Sequence, residues 1–234
     1  MKPVCLITGA AGLLGRMLCE SLASTHDIVA VYHRKIPDIA SQLRSRIASN
    51  EGNTHTPPAA YCVQADLTVR HDIQRIVDIS MARFGRLDVV INSAADIKFH
   101  GKLIEAWQTD DYAQHQLSVN CIAPVQLTSA IFENFWKNDP AENEKNNRCV
   151  VNVSSVSGLK AFPPAGQAYY AASKSALNML TLYQSLELAP YGIRANAVCP
   201  SRFSDAENGA HVVRGIQRLI DGTASGLIVS DFKD

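Results

Sequence analysis

The chain has 234 residues, of which 47% are hydrophobic, enough for a packed core in one large domain or two small ones. Its 22 basic residues balance 22 acidic ones and no basic block stands out, which excludes the electrostatic signature of a protein that binds nucleic acid or a membrane surface. We therefore expect a small-molecule partner, with no nucleic acid and no membrane.

Six cysteines occur singly, mostly within apolar runs, and the sequence contains no C-x-x-C pair. This spacing predicts buried, reduced thiols and no metal site. The first apolar run begins at Val4, which leaves no room for a secretory signal, and no run reaches the length of a membrane span. These features predict a cytoplasmic protein.

Short apolar runs alternate with longer amphipathic segments along the chain. We interpret the apolar runs as strands over residues 4–7, 28–32, 60–64, 89–92, 150–153, 194–199 and 225–230. The amphipathic segments predict helices over residues 14–23, 36–48, 72–84, 110–136, 168–189 and 207–220. Two polar stretches, 50–58 and 138–148, predict surface loops.

The alternation of strands and helices predicts parallel βαβ units. Because crossovers between parallel strands are right-handed, such units build an α/β fold, here a Rossmann-type, doubly wound parallel sheet of about seven strands with helices on both faces. The ligand crevice of such a sheet lies at the carboxyl ends of its strands. The residues that follow each predicted strand are therefore the first candidates for a site.

The segment 8–15, Thr-Gly-Ala-Ala-Gly-Leu-Leu-Gly, follows the first predicted strand and opens the first helix. Glycines at such a turn let the backbone approach a pyrophosphate, whose charge then lies at the N-terminus of the helix. An ordinary turn is the alternative, but the strand-turn-helix context favours a dinucleotide site. Its predicted contacts are Gly9, Gly12, Leu13, Leu14 and Gly15.

The second predicted strand ends in Tyr32, His33, Arg34 and Lys35. An acidic residue at this point binds a free ribose 2′-hydroxyl, whereas a basic residue accommodates a 2′-phosphate. Three potential cations and no carboxylate therefore favour NADP(H) over NAD(H), and Arg34 is able to make paired hydrogen bonds to the phosphate. A solvated basic loop tip is the alternative.

Tyr170 and Lys174 lie four residues apart at the start of the helix predicted over 168–189. That spacing places both side chains on one helix face. Because an ammonium favours a nearby phenolate, we expect Lys174 to lower the pKa of Tyr170, and Tyr170 to act as a general acid or base. The spacing alone is common, so its meaning depends on the motifs around it.

With these residues in place, the sequence resembles the short-chain dehydrogenase/reductase family from Val4 to about Pro200. Further motifs similar to those of the family follow in the same order: Ala-Asp-Leu-Thr at 65–68, Asn-Ser-Ala-Ala at 92–95, Ser-Val-Asn-Cys-Ile-Ala-Pro at 118–124, Val-Asn-Val-Ser-Ser at 151–155 and Asn-Ala-Val-Cys-Pro at 196–200. The joint occurrence of the set by chance is negligible.

The resemblance implies roles for individual residues. It implies a catalytic tetrad of Asn120, Ser155, Tyr170 and Lys174, in which Asn120 supports a proton-relay water. Taken singly, Asp66 is also explained as a helix cap and Asn120 as a buried amide bonded to backbone. Besides the glycine turn, the basic cluster, Tyr170 and Lys174, the cofactor residues implied are Asp66, Leu67, Asn92, Ser93, Ala94, Pro200 and Phe203.

The chemistry implied by the resemblance is the reduction of a ketone or aldehyde to an alcohol by NADPH. Ser155 would hydrogen-bond the carbonyl oxygen, Tyr170 would donate the proton, and Lys174 would also bind the nicotinamide ribose. The alternative is a non-catalytic NADP(H)-binding regulator or sensor, against which the intact tetrad argues. The basic cluster resembles that of pteridine reductases, a likeness of the cofactor site that says little about the substrate.

Two departures from the family pattern carry expectations of their own. The glycine spacing is more typical of the extended branch of the family, whereas the chain length favours the compact branch. After Pro200 the usual threonine and substrate-covering helices do not follow, so we expect one domain over 1–234 with a reduced lid at about 201–210. The site would be open or completed by a partner, and Asp205 would disfavour acidic substrates.

The predicted helices over 110–136 and 168–189 resemble the two through which members of the family form dimers and tetramers. The resemblance therefore implies a homodimer or homotetramer. Internal packing of both helices within one chain is the alternative.

Overall fold

The computed structural model describes residues 2–37, 60–108, 112–162, 166–201 and 206–230. The strands within these residues are β1 Val4–Thr8, β2 Asp27–Tyr32, β3 Ala60–Gln64, β4 Val89–Asn92, β5 Cys149–Val153, β6 Arg194–Cys199 and β7 Ile228–Ser230. They form one sheet in the order β3-β2-β1-β4-β5-β6-β7. Every neighbouring pair is parallel, which confirms the predicted Rossmann-type α/β fold.

Helices connect the strands. Their bounds are α1 Leu13–Leu22, α2 Arg70–Phe84, α3 Tyr112–Leu117, α4 Ala123–Ile131, α5 Pro140–Lys145, α6 Ala168–Leu188 and α7 Ala206–Asp221. Two wider, π-helical turns, Ser118–Ile122 and Phe132–Trp136, follow α3 and α4. The helix predicted over 36–48, apart from its first two residues, and the loop predicted over 50–58 lie outside the described residues.

The loop predicted over 138–148 is wrong in part, because α5 lies within it. Asp139 supplies the N-terminal cap: its Oδ1 accepts a hydrogen bond from the backbone N–H of Glu142 at 2.9 Å. Pro140 takes the first helical position, where its missing N–H costs nothing. The polar composition that suggested a loop therefore belongs to a short surface helix with strong start signals.

Alternate residues of the strands face two separate hydrophobic clusters. In β1, Cys5 and Ile7 belong to the cluster that also contains buried side chains of α1 and α7. Val4 and Leu6 belong to the other cluster, which contains buried side chains of α2 and α4. All five residues of β1 are buried, as expected for a parallel strand that helices cover on both faces.

A buried carboxylate joins the beginnings of three strands. Asp88 Oδ2 accepts a hydrogen bond from the backbone N–H of Val4 at 2.8 Å. The guanidinium of Arg86 contacts both carboxylate oxygens at 2.7 Å, and Arg148 Nε lies 3.3 Å from Oδ1. These contacts tie β1, β4 and β5 at the edge of the sheet opposite the carboxyl ends.

Arg194, the first residue of β6, holds the end of the last helix. Its buried guanidinium donates to the carbonyl oxygens of Leu219 at 2.8 Å, Ile220 at 2.9 Å and Ala224 at 3.1 Å. The final carbonyls of a helix have no partner within the helix, and a cation suits its negative end. The arginine thereby attaches the C-terminal part of the chain to the sheet.

Candidate active site

A cleft of about 1270 Å³ opens at the carboxyl ends of the strands. It lies where the strand order turns, between β1 and β4, which is the ligand position expected in a doubly wound sheet. Most of the predicted site residues line it: Gly9, Gly12, Leu13, Leu14, Gly15, His33, Arg34, Asp66, Leu67, Ser93, Ala94, Ser155, Tyr170, Lys174 and Pro200.

Three of the described site residues, Lys35, Asn92 and Asn120, are not part of this lining. Lys35, the last residue of the basic cluster, is exposed. Asn92 and Asn120 are buried behind the cleft surface, and Phe203 lies outside the described residues. The predicted ligand contacts of Asn92 and Phe203, and the predicted support of a relay water by Asn120, therefore stay predictions.

The glycine turn after β1 packs directly on the backbone that follows β4. Gly9 has φ +66°, and a Cβ at this position would lie 2.8 Å from Ala94 Cα. The Thr8 hydroxyl accepts hydrogen bonds from the backbone N–H groups of Ser93 at 3.0 Å and Ala94 at 3.1 Å. Only glycine fits this approach, because any side chain would separate the two loops.

The N-terminus of α1 has the properties of a pyrophosphate site. Gly12 is its N-terminal cap and offers no side-chain hydrogen bond, and the first turn contains no acidic residue. Gly12, Leu13 and Leu14 line the cleft. The first N–H groups of a helix have no acceptor within the helix and attract anions, so the residues present fit the phosphates of a dinucleotide.

The basic cluster and Asp66 lie at one end of the cleft. His33 Nε2 is 3.6 Å from Asp66 Oδ2, while Asp66 Oδ1 accepts from the Thr68 hydroxyl at 2.7 Å. This hydrogen bond is the main cause that holds the pKa of Asp66 below its usual value. Asp66 is not the cap of α2, since Val69 precedes that helix. His33 therefore lies beside the Asp66 carboxylate, whereas Arg34 is exposed in the cleft.

Ser155 and Tyr170 meet at the other end of the cleft. Ser155 follows β5, and Tyr170 lies in the first turn of α6. Burial raises the pKa of Tyr170, and a side-chain hydrogen bond with Ser155 opposes part of that rise. The sequence predicts that Lys174 lowers this pKa. In the structure the pKa of Tyr170 is raised, because loss of hydration outweighs the hydrogen bond with Ser155, and the predicted lowering by Lys174 is not observed.

Lys174 is buried one turn further along α6. Its Nζ donates a 2.7 Å hydrogen bond to the backbone oxygen of Val153 and lies 5.9 Å from the centre of the Tyr170 ring. Burial lowers the pKa of Lys174 from an ordinary 10.5 to about 8. The side chain is thus held beneath the tyrosine by the end of β5.

Asn120 connects the loop after β4 to α6. Its Oδ1 accepts from the backbone N–H of Asp96 at 2.7 Å, and its Nδ2 donates to the Asp96 carbonyl at 2.9 Å and to the Ser173 hydroxyl at 3.0 Å. This is the alternative in which the asparagine is a buried amide bonded to backbone. Asn92 is likewise bonded internally, by a 2.8 Å hydrogen bond from its Nδ2 to Asn152 Oδ1.

The family model described as short chain dehydrogenase matches residues 3–213. The chain belongs to the short-chain dehydrogenase/reductase family. It is accordingly an oxidoreductase, and the family binds a nicotinamide cofactor.

Individual members of the family are similar over most of their length. The chain is 31% identical over 199 residues to an uncharacterized oxidoreductase, YxjF, of Bacillus subtilis. The aligned residues cover 85% of this chain and 70% of the relative. The chain is 28% identical over 200 residues, 84% of this chain and 72% of the relative, to a 3-oxoacyl-[acyl-carrier-protein] reductase of Synechocystis. A crystal structure of a short chain dehydrogenase from Mycobacterium smegmatis superposes with a TM-score of 0.79 at 26% identity, covering 98% of this chain and 91% of that one.

The cleft of this short-chain dehydrogenase/reductase contains charged residues that the sequence analysis misses. Asp96 and Lys98, in the loop after β4, line its wall together with His115. The available signal is a carboxylate directly after the Asn-Ser-Ala-Ala motif. In the described ranges, no cluster of three or more histidine, cysteine or acidic side chains could hold a metal ion, and no helix is both long and apolar enough to span a bilayer.

Replacement of Gly9 by alanine is expected to disrupt the cofactor turn. Gly85 also has positive φ, +67°, but a Cβ there meets no atom within 4 Å. Gly85→Ala should therefore cost about 1 to 2 kcal/mol for the backbone conformation alone, whereas Gly9→Ala adds about 1 to 3 kcal/mol for the collision with Ala94. Denaturant unfolding measures both variants, and equal losses would contradict the close approach.

Lys174→Met tests the burial of the lysine charge. Between about pH 8 and 10.5 the unfolded chain binds a proton that folded Lys174 does not, so wild-type stability rises relative to the variant across this window, by up to ~3 kcal/mol. Denaturant unfolding at stepped pH measures the difference. Lys102→Met, at an exposed lysine, is the matched control, and an identical pH dependence in both variants would refute the expectation.

Proposed function

We propose that this protein is an NADPH-dependent reductase that converts a ketone or aldehyde into an alcohol. The observation that carries the proposal is the meeting of Ser155 and Tyr170 at one end of a cleft whose other end has the properties of a dinucleotide site. A relative named as a 3-oxoacyl-[acyl-carrier-protein] reductase supports the reductive direction.

The residues at the Ser155 end fit the chemistry of a carbonyl. The nicotinamide would supply the hydride. The Ser155 hydroxyl hydrogen-bonds the carbonyl oxygen of the substrate, and the Tyr170 hydroxyl donates its proton to the same oxygen. Because burial raises the pKa of Tyr170, the phenol carries its proton at neutral pH, as a proton donor for reduction must.

Two further residues of the predicted tetrad hold this geometry. Lys174 binds the backbone oxygen of Val153, two residues before Ser155, and its ammonium offsets negative charge that develops on the tyrosine oxygen. Asn120 links the cleft wall to Ser173, whose hydroxyl donates to the Tyr170 carbonyl at 2.7 Å. We assign Asn120 a positioning role, and its support of a relay water stays a prediction.

The preference for NADPH over NADH rests on the basic cluster. Arg34 lies in the cleft, where its guanidinium suits a 2′-phosphate. His33 is close to Asp66 and adds a second donor, while Lys35 contributes charge from the exposed side. The likeness to pteridine reductases is proposed for this cofactor end alone.

We further propose that the chain is one domain with a reduced lid at about 201–210, which leaves the cleft open. Self-association is supported by apolar side chains on the exposed face of α6, where Met179, Tyr183 and Leu186 are 55%, 57% and 71% exposed. Burial of such a face in a homodimer or homotetramer would remove it from water. A cytoplasmic location is supported by the free cysteines, since free thiols suit a reducing compartment.

Tyr170→Phe is expected to lower the rate of NADPH oxidation about 10²- to 10⁴-fold, because the variant lacks the proton donor. The measurement is the absorbance of NADPH with a panel of aldehydes and ketones. Tyr169→Phe is the matched control, since the ring of Tyr169 instead packs against that of His100, with the ring centres 4.4 Å apart. NADPH binding without turnover on any carbonyl would favour the alternative, a non-catalytic regulator.

Arg34→Ala tests the cofactor preference. Loss of a charge-assisted contact to the 2′-phosphate should raise the Kd for NADPH about 10- to 100-fold and leave the Kd for NADH unchanged. Titration of nucleotide fluorescence measures both constants. Arg70→Ala removes an equal charge from an exposed position outside the cleft lining and serves as the control. An equal effect of Arg34→Ala on both nucleotides would contradict the assignment.

A further inference from the structure

Asp96 is held rigidly at the wall of the cleft. It follows the Asn-Ser-Ala-Ala segment after β4, and the side chain of Asn120 clamps its backbone from both sides, at N–H and carbonyl. The clamp uses no atom of the Asp96 side chain. The carboxylate is therefore oriented by its backbone and remains available for another contact.

One oxygen of the Asp96 carboxylate has no hydrogen-bond donor in the described part of the chain. Its Oδ2 atom is buried and has no hydrogen-bond partner among the described residues. Lys98 Nζ at 3.7 Å offsets its charge, and both this atom and His115 Nε2 at 3.8 Å lie beyond hydrogen-bond distance. A buried acceptor without a donor is unfavourable, so a donor that arrives with a ligand would be bound at this point.

Other unpartnered polar atoms are concentrated in the same corner. Within the described ranges, the remaining buried side-chain atoms without a partner are Gln116 Oε1 and His100 Nδ1. Gln116 Nε2 donates to the Lys98 carbonyl at 3.2 Å, which leaves its oxygen free. His100 Nε2 accepts from the Tyr169 N–H. Of the three residues with such atoms, only Asp96 lines the cleft. Because buried polar groups are normally satisfied, its unpartnered oxygen points to a polar group that enters from outside.

We propose that Asp96 determines substrate specificity by accepting a hydrogen bond from a hydroxyl or N–H group of the carbonyl substrate. This inference rests on the proposed reductase function and adds to it the class of substrate. Phe99 and Phe162 line the same cleft, so the body of the substrate is apolar and one edge carries the donor. Because Lys98 already offsets the charge of Asp96, a neutral donor suffices.

Hydroxybenzamides and methoxybenzamides test the acceptor apart from catalysis. Both members are N,N-dimethylamides, so each pair shares an apolar ring and a carbonyl that nicotinamide hydride does not reduce, and only the hydroxyl member has a donor. Calorimetry with the NADP⁺-loaded protein should show, for at least one of the 2-, 3- and 4-isomers, a Kd about tenfold or more lower for the hydroxyl member. Equal Kd values for all three pairs would overturn the proposal.

Asp96→Ala should abolish that preference, whereas Glu105→Ala, which removes an exposed carboxylate on the same segment, should keep it. Thermal unfolding checks that both variants fold, and Asp96→Leu, which is close to aspartate in shape and has no acceptor, replaces the alanine variant if needed. A preference that survives in the Asp96 variants would refute the proposal. So would a tenfold weaker binding of NADP⁺ with the preference unchanged, because the donor would then belong to the cofactor.

Hydroxyacetophenones and methoxyacetophenones, assayed with NADPH, separate this inference from the reductase function. Reduction with a hydroxyl preference that Asp96→Ala removes supports both. Reduction without any preference for the hydroxyl member refutes the role of Asp96 and leaves the reductase function supported. A benzamide preference with no reduction of any carbonyl keeps the role of Asp96 as a ligand contact and overturns the function.

Discussion

The contact between the Gly9 turn and the backbone of Ala94 is the constraint on which the site depends. It fixes the loop after β1 against the loop after β4 at the point where the sheet reverses its order. From there a line of contacts runs through Asp96 and Asn120 to Ser173, and from its hydroxyl to the Tyr170 carbonyl. The phosphate end and the proton-donor end of the cleft are therefore set by one connected framework.

The buried part of this framework contains polar and ionisable side chains, where apolar side chains would give greater stability. Lys174 is buried with its pKa lowered to about 8, and burial also raises the pKa of Tyr170. Both shifts mean that the folded state disfavours a charge that water would stabilise. The hydrophobic clusters on the two faces of the sheet offset the free energy that burying these two side chains costs, a trade-off that is common at functional sites.

Much of the fold follows from the sequence because strands covered on both faces are continuous apolar runs, and β1 shows this directly. The composition of helix α5 predicts a loop, because its polar residues suit a loop equally well until the Asp139 cap is considered. The geometry of the site is harder to predict from the sequence. The pKa of Tyr170 depends on burial, which spacing alone does not reveal, and the clamp between Asn120 and Asp96 joins residues 24 positions apart. Such relations exist only after the chain has folded.

The attachment of the last helix by Arg194 limits how far the chain could be shortened. A chain that ended before Leu219 would leave a guanidinium inside the protein without the carbonyl oxygens that accept its hydrogen bonds. Because Arg194 begins the strand that leads to Pro200, such a truncation would disturb the floor of the cleft from the opposite edge of the sheet. Among the described residues, the segment 209–230 is thus structural support for a site that it does not line.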